Sequence, residues 1–273
     1  MLFRSKLDVV RREPRIKLLL NHRAMEVATE DASIRSVVVQ STVTARRQRL
    51  RARLFADCTG DAKVGYLAGA DYEYGLDEPL MGSTNLFSVL DASSESQVLG
   101  CECKDKTELS MAFAEGKFKQ PFPRCPWALD LSDKPFPGRA KFSQGGKDNL
   151  GHFERQWFWE SGFDQDQIEE IELIRDHNLR AMYGAWDALK NVDGLYPNHR
   201  LGWAAFIAGK RESRRLMGDV VLDSKDFMEG RKFPDAAVPC SWHIDLHFPN
   251  RAYQQGFEGN EFISDYTRGA SHT

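Results

Sequence analysis

The chain has 273 residues, of which 41% are hydrophobic and 28% are charged, and this composition is ordinary for a globular protein. Its net charge of −3 argues against nucleic acid or a membrane surface as a partner. No apolar run is long enough to span a bilayer, and the amino-terminal residues are too charged for a secretory signal. We therefore expect a cytoplasmic protein of one or two domains.

Cysteine usage predicts reduced thiols. The number of cysteines is odd, and no C-x-x-C spacing occurs. The cysteines are Cys58, Cys101, Cys103, Cys125 and Cys240. We interpret them as structural thiols and predict no metal site, because the closely spaced pair at 101 and 103 is isolated from other metal ligands.

The first part of the chain predicts a meander of strands. The predicted strands cover 16–20 (IKLLL), 24–30 (AMEVATE), 34–41 (IRSVVVQS) and 47–56 (RQRLRARLFA). In the last strand, arginine alternates with aliphatic residues, which is typical of a half-buried strand. We interpret the basic run 46–53 as the solvated face of that strand, in preference to a nucleic-acid-binding patch.

Residues 53–75 predict a strand (54–56), a tight turn (57–61) and a short helix (62–70). Gly60 lets the backbone turn sharply, and the side chains of Asp57 and Thr59 can accept hydrogen bonds from nearby amides. A strand that leads through a turn into a helix is a common site for anionic ligands in α/β proteins. The alternative is an ordinary strand–turn–helix corner.

Residues 73–160 have poor helical periodicity and contain many prolines. We predict one short helix over 107–119 and a long loop over 120–150. The glycine-rich run 145–151 lacks P-loop spacing, so we expect no phosphate cradle there. The aromatic residues 157–159 (WFW) either line a substrate or flavin pocket or pack in the core.

The clearest predicted helix covers 164–193, where apolar residues recur at nearly 3.6-residue spacing. Asp166 is its predicted N-cap, with Glu169 three residues later, and Gly194 is its predicted end.

A second helix is predicted over 203–217 (WAAFIAGKRESRRLM). It would carry Arg211 and Arg214 on one face, and two guanidinium groups on one face are suited to a carboxylate or a phosphate. The alternative is a solvated face with ion pairs to Glu212 and Asp219.

The segment 238–249 (VPCSWHIDLHFP) contains the best chemical constellation. His243, Asp245 and His247 are two residues apart, so on a strand all three point to one face. Two imidazoles and a carboxylate are suited to acid–base work. Three metal ligands from one strand would be strained, and a polar strand face beside solvent is the remaining alternative.

Several segments resemble FAD-dependent oxidoreductases of the glutathione-reductase-like flavoprotein class. The matching segments are 55–72 (FADCTGD through AGADY), 81–87 (MGSTNLF), 158–163 (FWESGF), 209–222 (GKRESRRLMGDVVL) and 242–249 (WHIDLHFP). The resemblance implies hydride transfer between a small organic substrate and FAD.

The resemblance also implies roles for the residues singled out above. It implies that Thr59, Gly60 and Asp61, with Asp57, lie near the cofactor. His243, Asp245 and His247 are the candidate acid–base groups by their chemistry, and the resemblance supports Arg211 and Arg214 as candidate anion-binding residues, so the substrate is expected to be a small and anionic molecule.

The implied fold is α/β with α+β character, a partial FAD/NAD(P)-binding-type domain joined to a mixed substrate domain with long helices. We predict the tail of an FAD-binding domain at 1–72, a substrate or cap domain at 73–250 and a polar tail at 251–273. The chain contains neither a G-x-G-x-x-G motif nor the glycine-rich closing segment of this class. We therefore expect a partial chain. The alternative is a non-catalytic fragment or interaction module that does not bind FAD by itself.

Overall fold

A computed structural model describes residues 2–74, 81–91, 119–133 and 157–236. These residues combine helices with small antiparallel sheets. They fall into two compact units. The first unit contains the residues up to Tyr74 together with Arg214–Val221, and the second contains the described residues from Met81 to Ser213 and from Leu222 onward. The domain limits predicted at 72 and 250 stay predictions.

The first unit consists of two helices and two antiparallel sheets. Its elements are α1 (Leu2–Arg12), β1 (His22–Glu30), β2 (Ser33–Ser41), β3 (Arg47–Leu50), α2 (Lys63–Ala68), β4 (Tyr72–Glu73) and β8 (Arg215–Leu216). The strands β1, β2 and β3 form one sheet in that order, and β4 pairs with β8 in another. Helix α1 was not among the predicted elements.

The predicted meander is confirmed for β1 and β2. They form a hairpin whose turn residues, Asp31 and Ala32, both have positive φ angles (49° and 56°), as tight hairpin turns require. In β2, Val37 and Val39 are buried. Val37 and Val39 lie two residues apart and therefore point to the same, buried face of the sheet.

The other two predicted strands need correction. Residues 16–20 form no strand, and Ile16, Leu18 and Leu20 are 49%, 40% and 49% exposed. Strand β3 ends at Leu50, so 51–56 are not part of it, and Leu54 is 88% exposed. Backbone amides and carbonyls form a strand only when a neighbouring strand accepts and donates hydrogen bonds, and in the described part of the chain no strand pairs with either segment.

The second unit contains a three-stranded antiparallel sheet and a long helix. Its elements are β5 (Ser83–Asp91), β6 (Trp157–Ser161), α3 (Ile171–Asp187), a π-helical turn (Ala188–Val192), β7 (His199–Ala204) and α4 (Ser224–Met228). In the sheet, β5 lies between β6 and β7. Helix α3 packs on β5 through a core of buried apolar side chains, namely Phe87, Val89, Leu131, Ala181, Met182, Ala185, Trp186, Ala188 and Leu189.

A buried polar network joins β5, β6 and α3. The side-chain amide of Asn178 donates to the carbonyl of Ser83 (2.9 Å) and to Asn85 Oδ1 (3.1 Å). Its oxygen accepts from Ser161 Oγ at 2.6 Å. Ser83 Oγ also donates to Gln167. All five side chains are buried, so each partner prevents an unsatisfied polar group, which would cost about 1–3 kcal/mol.

The helix predicted over 164–193 exists but starts later, at Ile171. Asp166 accepts hydrogen bonds from the amides of Ile168 (2.8 Å) and Glu169 (2.9 Å), so it caps a separate turn before α3. The reciprocal acceptor is Glu170 rather than Glu169, because Glu170 Oε2 accepts from the Asp166 amide at 2.9 Å.

The helix predicted over 203–217 is wrong. Its first residues belong to β7, where Ala204 pairs with Phe87 of β5. Beyond β7, Thr84 and Gly209 exchange both backbone hydrogen bonds, at 2.9 and 2.7 Å. The edge of β5 therefore forms the hydrogen bonds with the backbone amides and carbonyls of this segment that a helix would form internally. This tertiary pairing overrides the local helical pattern.

Residues 119–133 lie against α3 without forming a helix or strand, which confirms that part of the predicted loop. The Leu129 amide donates to the carbonyl of Arg180 at 3.2 Å. The helix predicted over 107–119 lies outside the described residues, apart from its last position. Among the helices of the described ranges, none has both the length and the apolarity that crossing a membrane requires.

The contact between this loop and α3 requires glycine at position 184. A Cβ atom at Gly184 would overlap the carbonyl oxygen of Leu129. We expect Gly184→Ala to lower the free energy of unfolding by about 1–3 kcal/mol through overpacking, although alanine usually favours a helix.

The measurement is chemical denaturation. The matched control is Gly209→Ala in the same unit, where the nearest atom to an added Cβ would be Thr84 O at an ordinary 3.5 Å. A G184A variant as stable as the unsubstituted chain would contradict the close packing of the loop on α3.

Candidate functional site

The turn 57–61 is organised by the carboxylate of Asp57. Asp57 Oδ1 accepts hydrogen bonds from the Thr59 amide (3.0 Å) and hydroxyl (2.7 Å). Asp57 Oδ2 accepts from the Gly65 amide at 2.8 Å, inside the first turn of α2. The predicted ability of Asp57 to accept bonds from nearby amides is confirmed. The same bonds mean that this carboxylate is an internal anchor of the turn.

Hydrogen bonding also sets the protonation of Asp57. Burial acts to raise the pKa of its carboxyl group, but the bonds from Gly65, Thr59 and Val64 together lower that pKa below its ordinary value. Asp57 is therefore ionised throughout the neutral range. Its negative charge lies at the amino-terminal end of α2, where the helix dipole favours it.

Thr59 and Gly60 complete the turn. Thr59 Oγ1 accepts a hydrogen bond from the amide of Lys63, the first residue of α2, at 2.7 Å. Asp57 and Thr59 therefore each satisfy one amide in the first turn of α2. Gly60 has a φ angle of 84°, and a Cβ added to it would meet no atom within 4 Å. The turn therefore has open space beside Gly60. Cys58, Thr59 and Gly60 are all exposed.

Arg211 lies in the second unit beside a buried carboxylate. Its Nε donates to Thr84 Oγ1 at 3.2 Å and lies 3.5 Å from Glu160 Oε2. The Glu160 side chain is only 1% exposed, whereas that of Arg211 is 30% exposed. A buried carboxylate needs a nearby cation, so Arg211 compensates the charge of Glu160. Sequence reasoning missed Glu160, although its position inside the apolar WFWES strand was an available signal.

Arg214 lies in the first unit, stacked on an aromatic ring. Its guanidinium carbon is 3.8 Å from the centroid of Tyr66. The prediction that Arg211 and Arg214 share a helix face is therefore wrong, because β7, a loop and β8 replace that helix. The two arginines belong to different compact units.

The remaining predicted site residues lie elsewhere. His243, Asp245 and His247 are outside the described residues, so their acid–base role stays a prediction. The backbone of 157–159 belongs to strand β6, and both interpretations of those aromatic rings, a pocket wall and core packing, stay predictions.

Cys125 borders a cavity of about 230 Å³ in the second unit. Burial and the nearby carboxylate of Asp187 raise the pKa of its thiol, so the reactive thiolate is disfavoured. Cys58 is exposed, and both residues are free thiols. Within the described ranges, no group of three or more histidine, cysteine or acidic residues could hold a metal ion.

Comparison with known proteins identifies a family. A family model described as FAD dependent oxidoreductase matches residues 2–267, which is nearly the whole chain. Neither a curated protein nor a solved structure is significantly similar to the chain.

The hydrogen bonds of Asp57 predict a pH-dependent contribution to stability. Asp57→Asn would place an amide where Oδ2 now accepts from Gly65, so we expect a loss of about 1–2 kcal/mol at neutral pH. Because the folded pKa is lowered, the wild-type advantage is complete above the ordinary value of 3.8 and is lost as the pH falls through the folded pKa.

The measurement is urea denaturation of both proteins at neutral pH and at several pH values below 4. The control is Asp31→Asn in the β1–β2 turn, where asparagine tolerates the positive φ angle of 49°. A constant difference between wild type and D57N across the acidic range would contradict the assigned role of the carboxylate.

Proposed function

The chain belongs to the FAD dependent oxidoreductase family, and on this premise we propose that it transfers a hydride between a small organic substrate and the flavin of a bound FAD. The family match over residues 2–267 is the observation that carries this proposal. It also favours an oxidoreductase over the non-catalytic interaction module, since the match includes both compact units. When bound, the isoalloxazine supplies the hydride chemistry.

The turn 57–61 fits the part of such a site that approaches the cofactor. Its backbone leaves open space beside Gly60, and it leads directly into α2. Asp57 and Thr59 are already bonded to α2 and fix the turn before any ligand arrives. We propose that Thr59, Gly60 and Asp61 face the cofactor, while Asp57 holds the turn in shape.

Two sets of residues are proposed for the substrate. His243, Asp245 and His247 would hold or move the proton that accompanies hydride transfer. Of the two arginines, we favour Arg214 over Arg211 for an anionic group, because Arg211 already compensates Glu160. These roles derive from the resemblance and from side-chain chemistry.

The cofactor proposal is tested by flavin retention. The purified chain is incubated with FAD, desalted and scanned for the flavin absorbance bands near 370 and 450 nm, a property of the cofactor. We expect retained bands in the wild-type chain. A colourless protein would contradict FAD binding by this chain.

Two glycines flank α2 and provide a matched pair of variants. Gly60 and Gly69 have φ angles of 84° and 79°, and a Cβ at either position would meet no atom within 4 Å. Alanine therefore introduces the same backbone strain at both sites, about 1–2 kcal/mol. We expect Gly60→Ala to weaken FAD binding by about tenfold or more, and Gly69→Ala to leave it within about twofold of wild type.

The binding constants are measured by flavin fluorescence titration, and the unfolding free energies of both variants are measured in parallel. Equal losses of FAD affinity in G60A and G69A would attribute the effect to strain and would remove the turn from the cofactor site.

A further inference from the structure

Three tyrosines surround Arg214. Its guanidinium carbon lies 3.8 Å from the ring centroid of Tyr66, 5.8 Å from that of Tyr72 and 6.0 Å from that of Tyr74. Tyr66 and Tyr72 also contact each other edge-to-face, with centroids 5.5 Å apart. We call Tyr66, Tyr72 and Tyr74 the tyrosine cluster. Their ring faces attract the cation, most strongly that of Tyr66, which is nearest.

The backbone that follows Arg214 is held by contacts with β4 and α2. The next two residues form β8, which pairs with β4. The Met217 amide donates to the Asp71 carbonyl at 2.9 Å. Leu216 packs so closely on α2 that a Cβ at Gly65 would lie 2.6 Å from Leu216 Cδ1. The guanidinium is therefore pre-positioned, which reduces the entropy lost when it binds a ligand.

The charge of Arg214 has no carboxylate partner among the described residues. By contrast, its neighbour Arg215 pairs with Glu73 at 3.8 Å, and Arg211 pairs with Glu160 at 3.5 Å. The Nε of Arg214 is buried and makes no hydrogen bond within the described ranges. A partly buried cation that meets only aromatic rings has unused hydrogen-bond donors.

A second cation approaches the same ring. Lys63 Nζ is 5.8 Å from the centroid of Tyr66, so the two positive charges lie within about 10 Å of each other. This separation is comparable with the Debye length at 0.1 M salt. The two charges therefore repel each other measurably, and both attract an anion that binds near them. Their mutual repulsion is relieved when a group with two negative charges binds between or beside them.

We propose that Arg214, supported by Lys63, binds a phosphate group of a ligand at the tyrosine cluster. Two positive charges match a phosphate better than a singly charged carboxylate, and the guanidinium provides paired donors for phosphate oxygens. The open cavity of about 600 Å³ that Tyr66 and Tyr72 border is lined by neither Arg214 nor Lys63, so the proposal depends on the guanidinium group and the rings around it. Asp71 also lines this cavity and opposes a second anionic group there.

The proposal does not rest on flavin chemistry, because phosphate binding is measured without turnover. The probe is inorganic phosphate, titrated at constant ionic strength while the arginine Nε–H signals are followed by ¹H–¹⁵N NMR. The signal of Arg214 is assigned by its loss in Arg214→Lys. We expect this signal to shift saturably, with a dissociation constant in the millimolar range, whereas equal amounts of acetate or chloride leave it in place.

Variants test the assignment by calorimetric titration with phosphate. Arg214→Lys keeps the charge but loses the planar fork, so we expect binding to weaken by about tenfold or more. Lys63→Gln, which leaves the arginine stacked, should weaken it by about threefold. Arg215→Lys is the matched control at the neighbouring position and should bind phosphate like the wild type.

The titration is repeated with FAD-loaded protein. If phosphate still binds to the FAD-loaded protein, the site serves a phosphate-bearing ligand other than the cofactor. If FAD prevents phosphate binding, the site binds a phosphate group of FAD itself. No saturable shift, an equal shift with acetate, or an equal loss of binding in R214K and R215K would overturn the proposal. If Arg214→Lys unfolds, the calorimetric comparison of Lys63→Gln with the wild type still tests the site, because Lys63→Gln leaves the Arg214–Tyr66 contact intact.

Discussion

The buried amide of Asn178 is the constraint on which the second unit depends. Its two donors bond to β5 and its oxygen accepts from β6, so one side chain of α3 links both strands. A shift of either strand by one residue would turn Ser83 or Ser161 to the opposite face and leave these groups without partners. The network therefore selects one register, and the apolar packing of Phe87 and Val89 on α3 follows from it.

The same register determines the surroundings of Arg211. Pairing of β5 with β6 sets Thr84 opposite Glu160, on the face of the sheet that points away from Asn178. Glu160 is thereby buried, and a buried carboxylate without a cation would be strongly unfavourable. Arg211 follows β7 in the chain and supplies that cation. The sequence suggested Arg211 as a ligand-binding residue. In the structure, its first role is to neutralise the buried charge of Glu160.

Local contacts were predictable from the sequence, and distant ones were not. The β1–β2 hairpin and the bonds of Asp57 join residues that are close in the chain, so the local sequence predicted both strands and the hydrogen bonding of Asp57. The segment 203–217 has helical spacing, but the edge of β5 decides its conformation. A strand at 16–20 was expected from apolar content and one at 51–56 from alternation, and neither pattern reveals whether a neighbouring strand exists. Similarly, the place of Arg214 on Tyr66 depends on β8 reaching β4.

The pairing of β4 with β8 has a consequence for synthesis on the ribosome. Strand β4 emerges early, whereas its partner β8 is made only after nearly all of the described second unit. Until then, α2 lacks the packing of Leu216 on Gly65, and the edge of β4 has no partner. Such a long-range closure is slow compared with hairpin formation. The nascent first unit therefore stays incomplete until β8 has been synthesised, and chaperones have a defined interval in which to protect it.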